Sequence, residues 1–168
     1  MTFKKTSSII AVSNRIETTA ANTYSQLEID LALDALNNEV FVVLAVDFAL
    51  APPDAVAATD TATLCQLSTT SFGGIAGLER SNIIARGENS IAAGGFVDGG
   101  VGFSHMSNDT PTGDLDYIGI VATPNMYLGV DSIACVNVKA VACRVWGYRA
   151  RLDAAGYAAL VQSEVLSA

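Results

Sequence analysis

Residues 24–34 show the clearest period in the sequence, an alternation of apolar and polar side chains. Leu27, Ile29, Leu31 and Leu33 are apolar, and the positions between them carry Glu, Asp and one Ala. Successive side chains of a strand point to opposite faces, so this period predicts a β-strand with one buried and one solvated face. Such a strand requires a second layer to cover its apolar face, which predicts a layered β-structure.

The next segment, residues 40–46, is apolar on both faces. Its β-branched content favours a strand over a helix. Asn37 and Asn38 predict a turn before it, and Pro52 and Pro53 predict its end because proline cannot donate to a ladder. We expect a strand of this kind to lie inside a sandwich or beneath a neighbouring subunit.

Further strands are predicted along the rest of the chain. The candidate segments are residues 63–70, 83–84, 91, 117–123, 126–130 and 134–151. Gly87, Glu88 and Asn89 predict a turn between short strands. The apolar positions change parity near Ala140, which predicts a β-bulge there because a bulge adds one residue to a strand.

Residues 152–166 have a helix-forming, Ala-rich composition, and Asp153 can cap the helix. The positions that share one helical face are Tyr157, Leu160, Val161 and Glu164. A short helix is marginal alone, so we expect it to dock on a surface. As an appended element, residues 153–168 are expected to matter more for assembly than for folding.

These segments predict one mostly-β domain over residues 1–168, an antiparallel β-sandwich of the jelly-roll type with a short C-terminal helix. Residues 1–20 are expected to form an N-terminal arm. Residues 94–113 are rich in glycine and are expected to form an exposed loop or hairpin region.

The composition favours a protein that associates with itself. Hydrophobic residues reach 51% and charged residues only 15%, against about 25% charged in ordinary domains. The net charge of −8 argues against direct binding of nucleic acid, since Lys4, Lys5 and Arg15 are the only basic residues near the N-terminus. Neither a transmembrane segment nor a secretion signal is expected.

No catalytic residue is predicted. His105 is the only histidine, and its neighbours Ser104 and Ser107 lack the context of a nucleophile. Adjacent residues of an extended chain point apart, so His105 is expected to be an exposed loop residue. Asp60 and Thr61 begin a triplet like that of aspartic proteases, but Ala62 stands where those enzymes have Gly.

No cofactor and no metal site are predicted either. Asp98, Asp109, Asp114 and Asp116 are expected to be solvated loop acids, with a calcium ion between subunits as the alternative. The three cysteines are expected to be reduced core residues, with one cross-linked pair as the alternative; they are Cys65, Cys135 and Cys143. The glycine-rich region lacks the Gly-Lys-Ser/Thr of a phosphate loop.

The layout resembles a single-jelly-roll capsid protein of an icosahedral virus. The resemblance lies in the strands at 24–34 and 40–50, in the loop-rich middle, and in the closing strand at 135–151 with its sequence Val145-Trp146-Gly147-Tyr148-Arg149. It implies a virion protein, assembled in the host cytoplasm, whose partners are many copies of itself and other capsid proteins. Loops would face outward or lie between neighbours.

One departure bears on the genome, because the chain lacks the basic arm that many such proteins carry. Another component would then face the genome, or double-stranded DNA would be pumped in by a motor. Two other functions remain open. One is a filament, tail or fibre subunit, and the other is a carbohydrate-binding sandwich with Trp146, Tyr148, Tyr117 or Tyr127 on an exposed face.

Overall fold

The computed structural model describes residues 2–106 and 115–167. These residues form ten strands and one α-helix: β1 Phe3–Lys5, β2 Ile10–Glu17, β3 Ser25–Asp30, β4 Glu39–Leu50, β5 Thr61–Ser68, β6 Ile83–Ala92, β7 Val101–Met106, β8 Gly119–Val121, β9 Asn125–Ile133, β10 Ala140–Leu152 and α1 Ala154–Leu166. A 3-10 turn, Ala35–Asn37, precedes β4.

The strands form two antiparallel sheets that pack face to face. The front sheet has β10 and β4 at its centre, with β8 on one edge and β1 and β2 on the other. The back sheet has the order β3-β9-β5-β6-β7. The predicted β-sandwich with a short C-terminal helix is therefore confirmed.

The strand pairing is nested. β2 pairs with β10, β3 with β9, β4 with β8 and β5 with β6. This is the pairing of one long antiparallel ribbon that folds over itself into two sheets, which is the jelly roll. β1 and β7 extend the two sheets beyond this plan.

The main core lies between the two sheets. Its fully buried side chains include Phe41, Leu67, Met126, Leu128 and Val145. Leu27, Ile29, Leu31 and Leu33 of the predicted amphipathic segment all pack into this core. Its strand ends at Asp30, because Ala32 adopts a left-handed φ of 49°.

The second apolar face of the 40–46 segment packs against the chain's own helix. Val40 and Val42 are fully buried on the outside of the front sheet, where Tyr157, Leu160 and Val161 of α1 pack on them. The predicted helical face is thus the one that docks. Because α1 completes this cluster, we now expect removal of residues 153–168 to destabilise the fold itself.

The turn predicted at Gly87, Glu88 and Asn89 is wrong, because β6 runs through these residues without interruption. A Cβ at Gly87 would lie 2.6 Å from the sulfur of Met106 and 2.9 Å from that of Cys65. The glycine therefore makes room for two side chains of neighbouring strands.

The bulge predicted near Ala140 is also wrong in position. β10 begins at Ala140, and the preceding residues form a loop in which Ala134 has a φ of 55°. The parity changes there because Val136 and Val138 lie in the loop, whereas Val141, Cys143 and Val145 lie in the strand. The register of β10 against β4 shifts instead between Trp146 and Gly147.

Two other segments are more regular than predicted. Residues 1–20 contain β1 and β2, which lie along the edge of β10, so most of the expected arm is sheet. Between them, Thr6 N–H donates to the carbonyl of Arg149 at 2.8 Å. Of the region 94–113, residues 101–106 form β7, and residues 107–113 lie outside the described chain.

Candidate functional site

Four connections between strands lie together at one end of the sandwich. They are residues 18–24, 51–60, 93–100 and 134–139, and we call this end the loop end. Polar side chains join the connections to one another. These hydrogen bonds determine which side chains of the loop end remain free to contact a partner.

Asp54 joins the connection 51–60 to the connection 134–139. Its Oδ1 accepts from Nζ of Lys139 at 2.7 Å, and its Oδ2 accepts from the backbone N–H groups of Val136 at 2.9 Å and Asn137 at 2.8 Å. The Lys139 hydrogen bond and these backbone donors hold the pKa of Asp54 far below its ordinary value. Both charges are therefore used within the subunit.

Asp60 and Asn22 complete the connections. Oδ1 of Asp60 accepts from the backbone N–H groups of Ala93 at 2.8 Å and Gly94 at 2.7 Å, which lowers the pKa of Asp60. The side chain of Asn22 bonds both the N–H and the carbonyl of Cys135, at 2.8 and 2.9 Å. Asn22 can do so from a left-handed φ of 57°, which asparagine tolerates.

Large apolar side chains remain exposed around these anchors, including Val97 at 84% and Val136 at 71%. The exposed apolar residues of the loop end are Phe96, Val97, Val101, Ile133, Val136 and Val138, and we call them the loop-end surface. A groove of about 490 Å³ beside it is lined by Ala55, Val56, Ala57, Ile91, Gly99, Gly100 and Gly102. The arrangement offers apolar contact to a partner.

His105 lies on β7 and not in a loop, so this part of the prediction is wrong. It is exposed and pairs across the strands with Glu88. Ser104 points to the other face, where its hydroxyl donates to Oδ1 of Asn89 at 2.8 Å. The structure thus does not bring Ser104 and His105 together, and Ser107 lies outside the described residues.

The four candidate calcium ligands are only partly described. Asp98 and Asp116 are exposed, whereas Asp109 and Asp114 lie outside the described residues. Across residues 2–106 and 115–167, no group of three or more His, Cys, Asp or Glu side chains is placed to hold a metal ion. Asp60, the acid of the Asp60-Thr61-Ala62 triplet, is the loop anchor described above.

The three cysteines are buried and free, and they form no cross-link. Burial raises the pKa of Cys65 and of Cys143 to about 12, so both thiols stay protonated at neutral pH. The Sγ of Cys135 lies 3.5 Å from the carbonyl of Ala62. A protonated, buried thiol is a poor nucleophile and metal ligand.

Of the four candidate aromatic residues, Tyr117, Trp146 and Tyr148 lie with the front sheet and Tyr127 lies on the back sheet. Tyr117 and Tyr148 both pack against Phe3, with ring centroids 6.0 and 6.4 Å apart. The guanidinium of Arg144 lies over the Trp146 ring at 5.8 Å. Tyr127 belongs to the back sheet.

The sequence alone did not identify the anchors Asn22, Asp54 and Asp60. Each bonds groups far away in the chain, and Asp54 and Lys139 are separated by 85 positions. In the sequence, Asp54 follows two prolines and cannot be told from any other acidic loop residue, because its partners come near it only in the folded chain.

Comparisons with known proteins add little to this picture. No protein-family model matches the chain, and no curated protein sequence matches it. A solved structure from Desmodium yellow mottle tymovirus aligns over 88% of this chain and 90% of its own, at 10% identity and a TM-score of 0.32. A TM-score this low carries no argument, so the fold assignment rests on the strand pairing. None of the helices in the described residues has the length and apolar character needed to cross a membrane.

Proposed function

We propose that this protein is a structural subunit that assembles with copies of itself, and specifically a shell subunit of an icosahedral virus capsid. The observation that carries the proposal is the loop-end surface, where apolar side chains are exposed around carboxylates that are bonded inward. Jelly rolls serve as shell-forming domains in virus capsids, and also as lectin and enzyme domains.

The loop end suits a permanent contact for two physical reasons. Exposed apolar patches mark interaction sites, and six large apolar side chains are exposed at this one end of the sandwich. Obligate interfaces are likewise apolar, like a domain core. The connections are also held to one another by Asn22, Asp54 and Asp60, so little conformational freedom is lost when a partner binds.

The proposed role is not catalytic, and it involves no direct contact with a genome. The net charge of −8 opposes the neutralisation of phosphates. Another component would therefore face the genome, and the partners of this chain would be its own copies and other capsid proteins in the virion. The carbohydrate-binding alternative is not favoured, because Tyr117 and Tyr148 pack on Phe3 and Tyr127 lies on the other sheet.

The test is to examine the purified protein by sedimentation velocity and by negative-stain electron microscopy. Closed shells or rings would support the proposal, filaments would support the fibre alternative, and a 17.4 kDa monomer at micromolar concentration would refute self-assembly. The variant Val97→Asp/Val136→Asp should abolish the shells or rings. The matched control is Leu36→Asp/Leu78→Asp, which adds the same two charges on side chains that are 96% and 60% exposed at the opposite end.

A further inference from the structure

Positive charge is concentrated on the edge strands β1 and β2 of the front sheet and on β10 beside them. The structure exposes six Lys and Arg side chains, and five of them lie on β1, β2 and β10. Of these five, Lys4, Lys5 and Arg15 lie on the edge strands, and we call them the basic edge. Arg144 and Arg151 lie on β10, opposite Asp47 and Glu39 of β4. The only acid on β1, β2 and β10 is Glu17, which pairs with Arg15 at 3.2 Å. The basic edge is therefore positively charged although the whole chain has a net charge of −8.

The neighbouring edge of the back sheet has the opposite sign. β3 carries Glu28 and Asp30, both exposed, and Asp34 is exposed in the turn that follows. β3 contains no Lys or Arg. We call Glu28, Asp30 and Asp34 the acidic edge.

Both edges lie on the same side of the sandwich. β2 and β3 contact each other, and the N–H of Thr19 donates to Oγ of Ser25 where the two strands meet the loop end. At the other end, the Arg149 guanidinium beside β1 donates to the carbonyls of Leu31 and Ala32 at 2.8 and 3.0 Å. Lys4 and Lys5 therefore lie at the same height along the strand direction as Asp30 and Asp34, at the end of the sandwich opposite the loop end.

Both edges are also open to another strand. Within residues 2–106 and 115–167, β1 and β2 pair with β10 alone, and β3 pairs with β9 alone. An open edge presents unpaired backbone N–H and carbonyl groups that can accept another strand. Ile9 and Ile10 lie on the same edge and are 55% and 36% exposed, which adds apolar area to the charged groups.

We propose that this side of the sandwich is a two-fold interface with a second copy of the chain. A two-fold axis parallel to the strands places the basic edge of each copy beside the acidic edge of the other. β2 and β3 run in opposite directions along the sandwich, so the apposed edges are antiparallel. One surface then complements itself, as an isologous contact requires. This inference rests on the proposed self-assembly and adds to it a contact separate from the loop end.

Charge reversal tests the interface directly. In Arg15→Glu, residue 15 repels Glu28 of the second copy, and in Glu28→Lys, residue 28 repels Arg15. Each change enters a two-fold contact twice, so each should weaken dimerisation about tenfold. The matched controls are Arg80→Glu and Glu79→Lys, exposed loop residues that change the net charge equally. Association constants are measured by sedimentation equilibrium at low salt, where screening is weak.

An equimolar mixture of Arg15→Glu and Glu28→Lys provides the decisive result. Each reversed charge then meets its opposite in the other variant, so the mixed dimer should associate at least about tenfold more tightly than either variant does with itself. If the two variants associate as well as their controls, or if mixing restores nothing, the interface proposal is refuted and self-assembly through the loop end stands. If the wild type remains monomeric at every concentration, the proposed function fails as well.

Discussion

The buried carboxylate of Glu164 is the contact by which the C-terminal end of α1 is held to the sandwich. Only 7% of Glu164 is exposed. Its two oxygens accept from the backbone N–H groups of Ala122 at 3.0 Å and Thr123 at 3.2 Å, at the corner between β8 and β9. Glu164→Ala removes both acceptors and leaves the Ala122 donor, in a residue only 2% exposed, without a partner.

The expected loss follows from the energetics of such bonds. A hydrogen bond to a charged group contributes about 1.5–3 kcal/mol. Burial raises the pKa of Glu164, so part of the gain from two bonds is offset by the cost of desolvating the charge. We expect Glu164→Ala to lower the free energy of unfolding by about 2–3 kcal/mol at pH 7. Urea denaturation followed by Trp146 fluorescence measures this value.

The raised pKa also sets the sign of the pH dependence. The folded protein binds the proton of Glu164 more tightly than the unfolded chain does, so this stabilisation is greatest below the ordinary pKa of Glu. It decreases as the pH rises through the raised value. The difference between wild type and Glu164→Ala should therefore widen as the pH is lowered.

Val165→Ala is the control for Glu164→Ala, because its side chain is 63% exposed on the same turn. It should change stability by less than about 0.5 kcal/mol. The reasoning would be refuted if Glu164→Ala cost no more than this control, or if the difference from wild type narrowed on acidification.

Two further predictions concern the front sheet and the loop end. In Gly147→Ala the new Cβ would clash with the backbone carbonyl of Val42, so the two central strands must separate. Calorimetry should find that the free energy of unfolding falls by about 1–3 kcal/mol. The control Gly73→Ala should leave it unchanged, because nothing lies within 4 Å of the new Cβ there. Asp54→Asn should lower the melting temperature at pH 7, because it leaves the buried Lys139 ammonium without its counter-charge. Since the pKa of Asp54 is lowered by folding, wild type should lose this advantage as the pH falls below about 4. A difference that stayed constant down to pH 2 would contradict the Asp54 assignment.

Local patterns predicted the β-sandwich and its C-terminal helix. The alternation at Leu27, Ile29 and Leu31 predicted the buried face of β3, and the spacing of Tyr157, Leu160 and Val161 predicted the face of α1 that docks. Both depend on the period of one element, which is visible in the sequence. Predictions that depend on contacts with neighbouring strands were wrong more often, and the turn at Gly87 is one example. Gly87 lies inside a strand and not at a turn, because the reason for the glycine is the bulk of Cys65 and Met106.

The sequence by itself determined the fold class and the buried faces of β3 and α1, and that the chain carries more apolar residues than an ordinary domain. Only the tertiary structure decided which apolar surface is used within the subunit. The second face of Val40 and Val42 looked available for a neighbour, and α1 covers it. Phe96, Val97 and Val136 stay exposed, because they lie on connections whose polar side chains bond inward. The charged edges beside β2 and β3 likewise exist only in the folded chain, since pairing with β10 places Lys4, Lys5 and Arg15 along one edge of the front sheet, on the same side as β3.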